Sequence, residues 1–275
     1  MYCRAKLRVP DLFVVLVVLS FLPAHAATPI KIDAANLVVT IDATACRWSA
    51  EVKRTPMRLN EVHFLPDDDS SGWSVASSTN QDDTSSLGTF VTVTLHGTKS
   101  GQLDFEYQIS VSKTGNDILV SLGRSNNTGK AVDIGDMDYF VSSDARLGDT
   151  TDKWISLGTM TRNRDYYDLN TVVHLITPQM YTVNHVVRDT VSGNSLLMGH
   201  VTALKGSSRF EVGQGWQGKT ADRMQIRGYC SYKVTMPPGK SFAGEKLLID
   251  FTTDALRAME HQADLIAIAH DVRLR

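Results

Sequence analysis

The stretch Thr89-Phe90-Val91-Thr92-Val93-Thr94-Leu95-His96 decides how the chain reads. Val91, Val93 and Leu95 fall on one side of an extended backbone, and Thr92, Thr94 and His96 on the other. That is a period of two, the mark of a half-buried antiparallel strand. Phe90 alone is out of phase. Downstream, Leu103-Asp104-Phe105-Glu106-Tyr107-Gln108-Ile109-Ser110-Val111 repeats the alternation. Lys113-Thr114-Gly115-Asn116-Asp117 then makes a hairpin-type turn into Ile118-Leu119-Val120-Ser121-Leu122. Upstream, Leu37-Val38-Val39-Thr40-Ile41 is turned by Asp42-Ala43-Thr44 and answered by Cys46-Arg47-Trp48-Ser49-Ala50-Glu51-Val52.

The same texture runs toward the C-terminus. Further strands are predicted over 154–157, 172–176, 183–188, 196–201, 209–212, 229–235 and 245–251. Ser192-Gly193-Asn194, Lys205-Gly206-Ser207-Ser208 and Pro237-Pro238-Gly239-Lys240 punctuate them. Many short strands at close spacing define an all-β sandwich or barrel. No Pro- or Ser-rich linker divides the block, and no fixed-period repeat points to a propeller. Residues 27–252 therefore read as one large antiparallel double-layer sandwich.

The pattern changes at Thr253-Asp254, a helix-capping pair. A helix is predicted near 254–270, with Leu256, Met259, Ala263, Ile266 and Ala267 on one face. Leu265 and Ile268 lie off that face, so the helix carries more apolar surface than one contact buries. The segment 253–275 reads as a linker helix whose surplus face awaits a catalytic barrel or a second subunit.

The N-terminus is a targeting segment. Arg4, Lys6 and Arg8 precede the uncharged run Leu12 to Leu22, and Ala24-His25-Ala26 supplies a signal-peptidase site. The apolar run is shorter than the roughly 20 residues of a membrane span. Residues 1–26 are expected to be a signal peptide cleaved after Ala26, giving a secreted or periplasmic protein with no membrane segment. Cleavage removes three basic residues (Arg4, Lys6, Arg8) and one acidic residue (Asp11), taking the net charge from −2 to −4. Cys3 leaves too, so Cys46 and Cys230 remain as a possible disulfide or as two buried thiols. Asn126-Asn127-Thr128 is a glycosylation sequon that matters only along a eukaryotic route.

Composition narrows the function by exclusion. With 42% hydrophobic and 21% charged residues the chain is ordinary globular material, neither disordered nor coiled-coil. Lys+Arg 28 against Asp+Glu 30 leaves no basic stripe for nucleic acid. No P-loop, dinucleotide fingerprint, H-E-x-x-H, C-x-x-C or G-x-S-x-G motif occurs, so no cofactor or metal is implied. His63, His96, His174, His185, His200, His261 and His270 are scattered singly. Asp67-Asp68-Asp69-Ser70-Ser71-Gly72 lacks the alternate spacing of a calcium loop and reads as a solvated acidic turn.

Carbohydrate is the ligand class the remaining residues fit. Arg162-Asn163-Arg164-Asp165-Tyr166-Tyr167-Asp168 packs two Arg, two Asp and two Tyr into one aperiodic stretch. Aromatic faces match the CH face of a pyranose, and Arg and Asp match its hydroxyl rim. The spacing of Asp165 and Asp168 does not fix a carboxylate separation, so acid/base chemistry is not implied. An Arg–Asp surface loop accounts for the same residues. Trp48 and Trp154 lie in strands and read as core, whereas Trp73 and Trp216 sit beside glycines in loops and are the candidates for sugar stacking.

One family resemblance spans roughly residues 30–275 in layout, with its specific motifs in the last 50 or so. Glu245-Lys246-Leu247-Leu248-Ile249-Asp250-Phe251, then Asp254-Ala255-Leu256-Arg257-Ala258-Met259-Glu260, Ala263-Asp264 and His270-Asp271-Val272-Arg273 resemble the end of the N-terminal domain of family 36-like α-galactosidases and raffinose synthases. The resemblance implies a galactose-mutarotase-like β-supersandwich closed by a linker helix. In that group the catalytic carboxylates lie on a barrel beyond the helix, so no position here inherits a catalytic role. Two rivals remain: a complete sandwich-type enzyme of mutarotase or polysaccharide-lyase kind using residues 162–168 and a His, or an interaction module without a small ligand.

Overall fold

The computed structural model describes residues 28–65, 68–160, 168–171, 182–213 and 224–272. Two antiparallel sheets face each other. The seven-stranded sheet runs β1 (Ile30–Asp33), β2 (Leu37–Asp42), β3 (Arg47–Val52), β4 (Arg58–His63), β9 (Val132–Arg146), β15 (Met224–Met236), β14 (Ser207–Gly213). The nine-stranded sheet runs β11 (Asp168–Thr171), β10 (Trp154–Met160), β12 (Thr182–Asp189), β13 (Ser195–His200), β16 (Ser241–Thr252), β8 (Asp117–Ser125), β7 (Asp104–Ser112), β6 (Gly88–Thr98), β5 (Ser74–Ser85). The helix α1 (Ala255–Ala269) closes the chain. The all-β double-layer sandwich is as read, and the strand expected over 172–176 lies outside the described residues.

Alternation explains the layers. Ile118, Val120 and Leu122 of β8, with Leu247, Ile249 and Phe251 of β16, point into the core between the sheets. Trp48 and Trp154 are buried there too, as expected of strand tryptophans. Polar stitches cross the core: Trp48 Nε1 donates to Tyr107 Oη at 3.1 Å, and Tyr107 Oη donates to the Tyr139 carbonyl at 2.7 Å. A bulge between Ala243 and Lys246 turns the Glu245 amide inward, where it donates to the hydroxyls of Tyr139 and Tyr232.

Residues of the opposite phase make a second core on the outer face of the nine-stranded sheet. Leu119, Leu197 and Leu248 lie there beside Phe90, and Ala258 and Leu265 of α1 cover them. Phe90 breaks the phase of its strand because it belongs to this outer layer.

The helix starts where the sequence places it. Asp254 is its N-cap, accepting from the Arg257 amide at 3.1 Å. Its orientation corrects the reading of the sequence. Ala258, Gln262 and Leu265 are the buried residues, whereas Leu256 is 72% exposed and Ala263 is exposed. Leu265 was expected to be partly exposed and is instead core; Ile268, at 46%, is exposed as expected. Gln262 is the reason for the rotation. Its amide donates to the His200 carbonyl at 3.1 Å and accepts from Asn184 Nδ2 at 2.9 Å. Gly199 leaves the gap it fills, since a Cβ there would lie 2.1 Å from Gln262 Nε2. A buried, hydrogen-bonded amide thus sits where a hydrophobic pattern would have placed a leucine.

Of the two states left open for the cysteine pair, the structure has the two buried thiols. Cys46 and Cys230 are both free and buried. Cys46 lies in the turn between β2 and β3 and Cys230 in β15, with different partners: Cys46 Sγ contacts the Ala43 carbonyl, and Cys230 Sγ lies 3.4 Å from His200 Nε2.

Candidate functional site

Asp117 begins β8 and Asp250 lies near the end of β16, and the two are direct partners in the sheet register. Their neighbours Ile118, Ile249 and Phe251 point inward, so both carboxylates point out toward α1. Opposed residues in such a pair have Cβ atoms about 4.5–5.5 Å apart. Helix α1 crosses above them and presents His261, whose Nδ1 lies 3.4 Å from Asp250 Oδ2. Asp254, Arg257, Glu260 and Asp264 complete a polar cleft of about 740 Å³ between the helix, the β7–β8 turn and β16.

The electrostatics of this cleft are distinctive. Asp117 and Asp250 are only 7% and 8% exposed, so the carboxylates lie on the floor. Burial, then the neighbouring Asp250 charge, pushes the Asp117 carboxyl above its ordinary value. The hydrogen bond to Asp250 raises the His261 imidazole, and the Asp117, Asp250 and Asp264 charges add to this against desolvation. Two carboxylates and an imidazole can exchange protons, but the floor position gives a pyranose ring little direct contact with either acid.

The buried cysteine–histidine contact is not an ion pair. Burial lowers His200 to about 3 and raises Cys230 to about 11, so this pair is a neutral thiol and a neutral imidazole. It is not the thiolate–imidazolium ion pair of a nucleophilic cysteine. Burial likewise lowers His185 to about 4. On the outer face of the seven-stranded sheet, Arg227 Nε donates to Asp138 Oδ1 at 2.6 Å and stacks 4.1 Å over the Tyr229 ring. Tyr229 in turn donates to Glu211 Oε1 at 3.0 Å. These groups satisfy one another and form a structural network. Among the described residues no group of three His, Cys, Asp or Glu is placed to hold a metal ion.

The residues singled out in the sequence are only partly placed. Arg162, Arg164, Asp165, Tyr166, Tyr167 and Trp216 lie outside the described residues, and of Asp168 only the backbone, opening β11, is described. Trp73 is half-buried rather than presented at a loop tip. Its ring packs 4.9 Å from Phe105, and Lys99 Nζ lies 5.9 Å from its centre. Asp68 of the acidic turn pairs with Arg47, and Asp69 accepts from the Ser71 amide at 2.8 Å. The sequon residue Asn126 is fully buried, its amide donating to the carbonyls of Lys130 and Met236, and so is closed to a glycan in the folded protein. The sequence reading missed Asp117, Asp250 and His261. The available signal was an acidic residue at the outward phase of two very apolar strands; their pairing needs the sheet register.

No protein-family model matches the chain, and no curated protein matches it in sequence. Solved structures do match. An AgaA α-galactosidase variant of family GH36 from Geobacillus stearothermophilus, in complex with raffinose, aligns with TM-score 0.58 and 11% identity over 86% of this chain. The GH36 α-galactosidase AgaB from the same organism gives 0.56 and 11% over 84%, and the α-N-acetylgalactosaminidase NagBb from Bifidobacterium bifidum, as a quadruple mutant, 0.56 and 10% over 81%. The chain spans 42%, 41% and 36% of those three proteins, respectively. At this identity the likeness is one of fold: the chain has the fold of one part of these glycoside hydrolases. No helix among the described residues is long and apolar enough to cross a membrane.

Proposed function

We propose that this chain is an exported, non-catalytic β-supersandwich domain of the α-galactosidase type, whose C-terminal helix receives a second protein body. The observation that carries the reading is coverage: 81–86% of this chain accounts for only 36–42% of each glycoside hydrolase it resembles. In the family suggested by the C-terminal motifs, the chemistry belongs to a barrel that follows the linker helix. Export rests on the three-part N-terminal signal, with cleavage after Ala26. Carbohydrate is the ligand class, by way of Trp73, Trp216 and residues 162–168.

The outer face of α1 supports a docking role. Leu256 and Ile268, near opposite ends of α1, are 72% and 46% exposed, and Val272 just beyond the helix is 53% exposed, which leaves apolar side chains open to a partner. A catalytic barrel is the occupant this reading favours, and a second copy would bury the same side chains in the isolated chain. Sedimentation of the mature protein should show concentration-dependent self-association that Leu256→Glu with Ile268→Glu abolishes without changing the circular dichroism. A wild-type chain that stays monomeric at high concentration argues against the docking role.

A further inference from the structure

We infer that Asp117, Asp250 and His261 form a proton-dependent clasp that holds helix α1 on the nine-stranded sheet more tightly in mildly acidic than in alkaline solution. The geometry comes first. The helix has three attachments: the apolar layer of Ala258 and Leu265, the Gln262 plug over Gly199, and His261 above the paired carboxylates. Only the third depends on protons. It also lines the cleft, so water reaches one side of it.

Among the described residues, the charged groups facing the clasp can be named. From β8 comes Asp117, from β16 Asp250, from the helix N-cap Asp254, and from α1 itself Arg257, Glu260 and Asp264. Acids outnumber bases, so a proton taken up here relieves repulsion. The two shifted groups act in the same direction. His261 is raised in the folded state, so its contribution is complete below the ordinary histidine value of 6.5 and is lost as pH rises through its folded value. Asp117 is raised as well; for an acid this means the folded state gains as pH falls through its folded value and is penalised above it. The docked helix therefore binds more protons than the undocked one, and docking weakens as pH rises. This clasp does not depend on the proposed domain role, since it concerns how the helix is held and not what lands on it.

Hydrogen exchange of the full chain at pH 5.5 and pH 8, corrected for intrinsic rates, reads the clasp directly. Amide protection of 255–269, relative to that of β2 and β3, should fall by about threefold or more at the higher pH. His261→Gln should flatten the dependence between pH 6 and 8. Asp117→Asn should make the helix more protected at pH 8 than in the wild type, which a merely structural carboxylate would not do. Proton NMR of His261 in the wild-type chain gives a check that needs no variant: its titration should lie above the ordinary histidine value. Equal relative protection at both pH values, or a His261 that titrates at or below that value, overturns the clasp.

Discussion

Gly199 is the point of closest approach between helix and sheet. A methyl group there would meet Gln262 Nε2 at 2.1 Å, so Gly199→Ala must push the helix away or expel the amide. Overpacking of this kind costs about 1–3 kcal/mol. Gln262→Ala removes the obstacle, and the double variant should lose less stability in urea denaturation than the two single losses added together. Additive losses would mean that the two residues do not meet. Leu265 and Ile268 lie three residues apart with opposite fates. Leu265→Ala should cost about 2–5 kcal/mol, as for a leucine removed from a core. Ile268→Glu should change the stability of the monomer, read at low concentration, by no more than about 0.5 kcal/mol, because that side chain is 46% exposed. The thiols give a further check. Cys46 and Cys230 are free, so a reducing agent should not shift the melting temperature, and two thiols per mature chain should react once the protein is denatured. A drop in melting temperature on reduction would show a disulfide.

At the scale of elements, strands with an apolar run or a clear apolar face were legible, and polar or irregular ones were not. The alternation in 89–96 and 103–111 placed β6 and β7 because one face of each is apolar. β5 (Ser74–Ser85) carries no such signal. It is the edge of its sheet, almost wholly exposed, and apart from Val75 and Ala76 its composition is Ser, Thr, Asn, Gln and Asp. Its bulge between Asn80 and Asp83 and its acids Asp82 and Asp83 protect that edge from pairing with another chain. β9 was hidden for a different reason. Its register against β15 shifts at three places, so no single phase runs through Val132–Arg146. The turn Pro237-Pro238-Gly239-Lys240 was legible, since Pro fits its second position and Gly239 supplies the positive φ of its third. The helix was legible in length and cap but not in rotation, because its buried stripe is centred on a polar residue whose partners, Asn184 and the His200 carbonyl, come from distant strands. The carboxylate pair of the candidate site was invisible for the same reason: Asp117 and Asp250 meet only through the pairing of β8 with β16.

The described residues form two sheets around one core, with a second, smaller core beneath helix α1. The helix is both the lid of that smaller core and the proposed landing place for another body. A sandwich in this role needs rigid strands and a sticky helix, and it needs no reaction centre. The most direct test of the account is turnover. Purified mature chain, checked for folding by circular dichroism, should hydrolyse aryl α-galactosides no faster than buffer between pH 5 and 8. Turnover that disappears in Asp165→Ala, Asp168→Ala or Asp117→Asn would contradict the account and make the chain an enzyme in its own right.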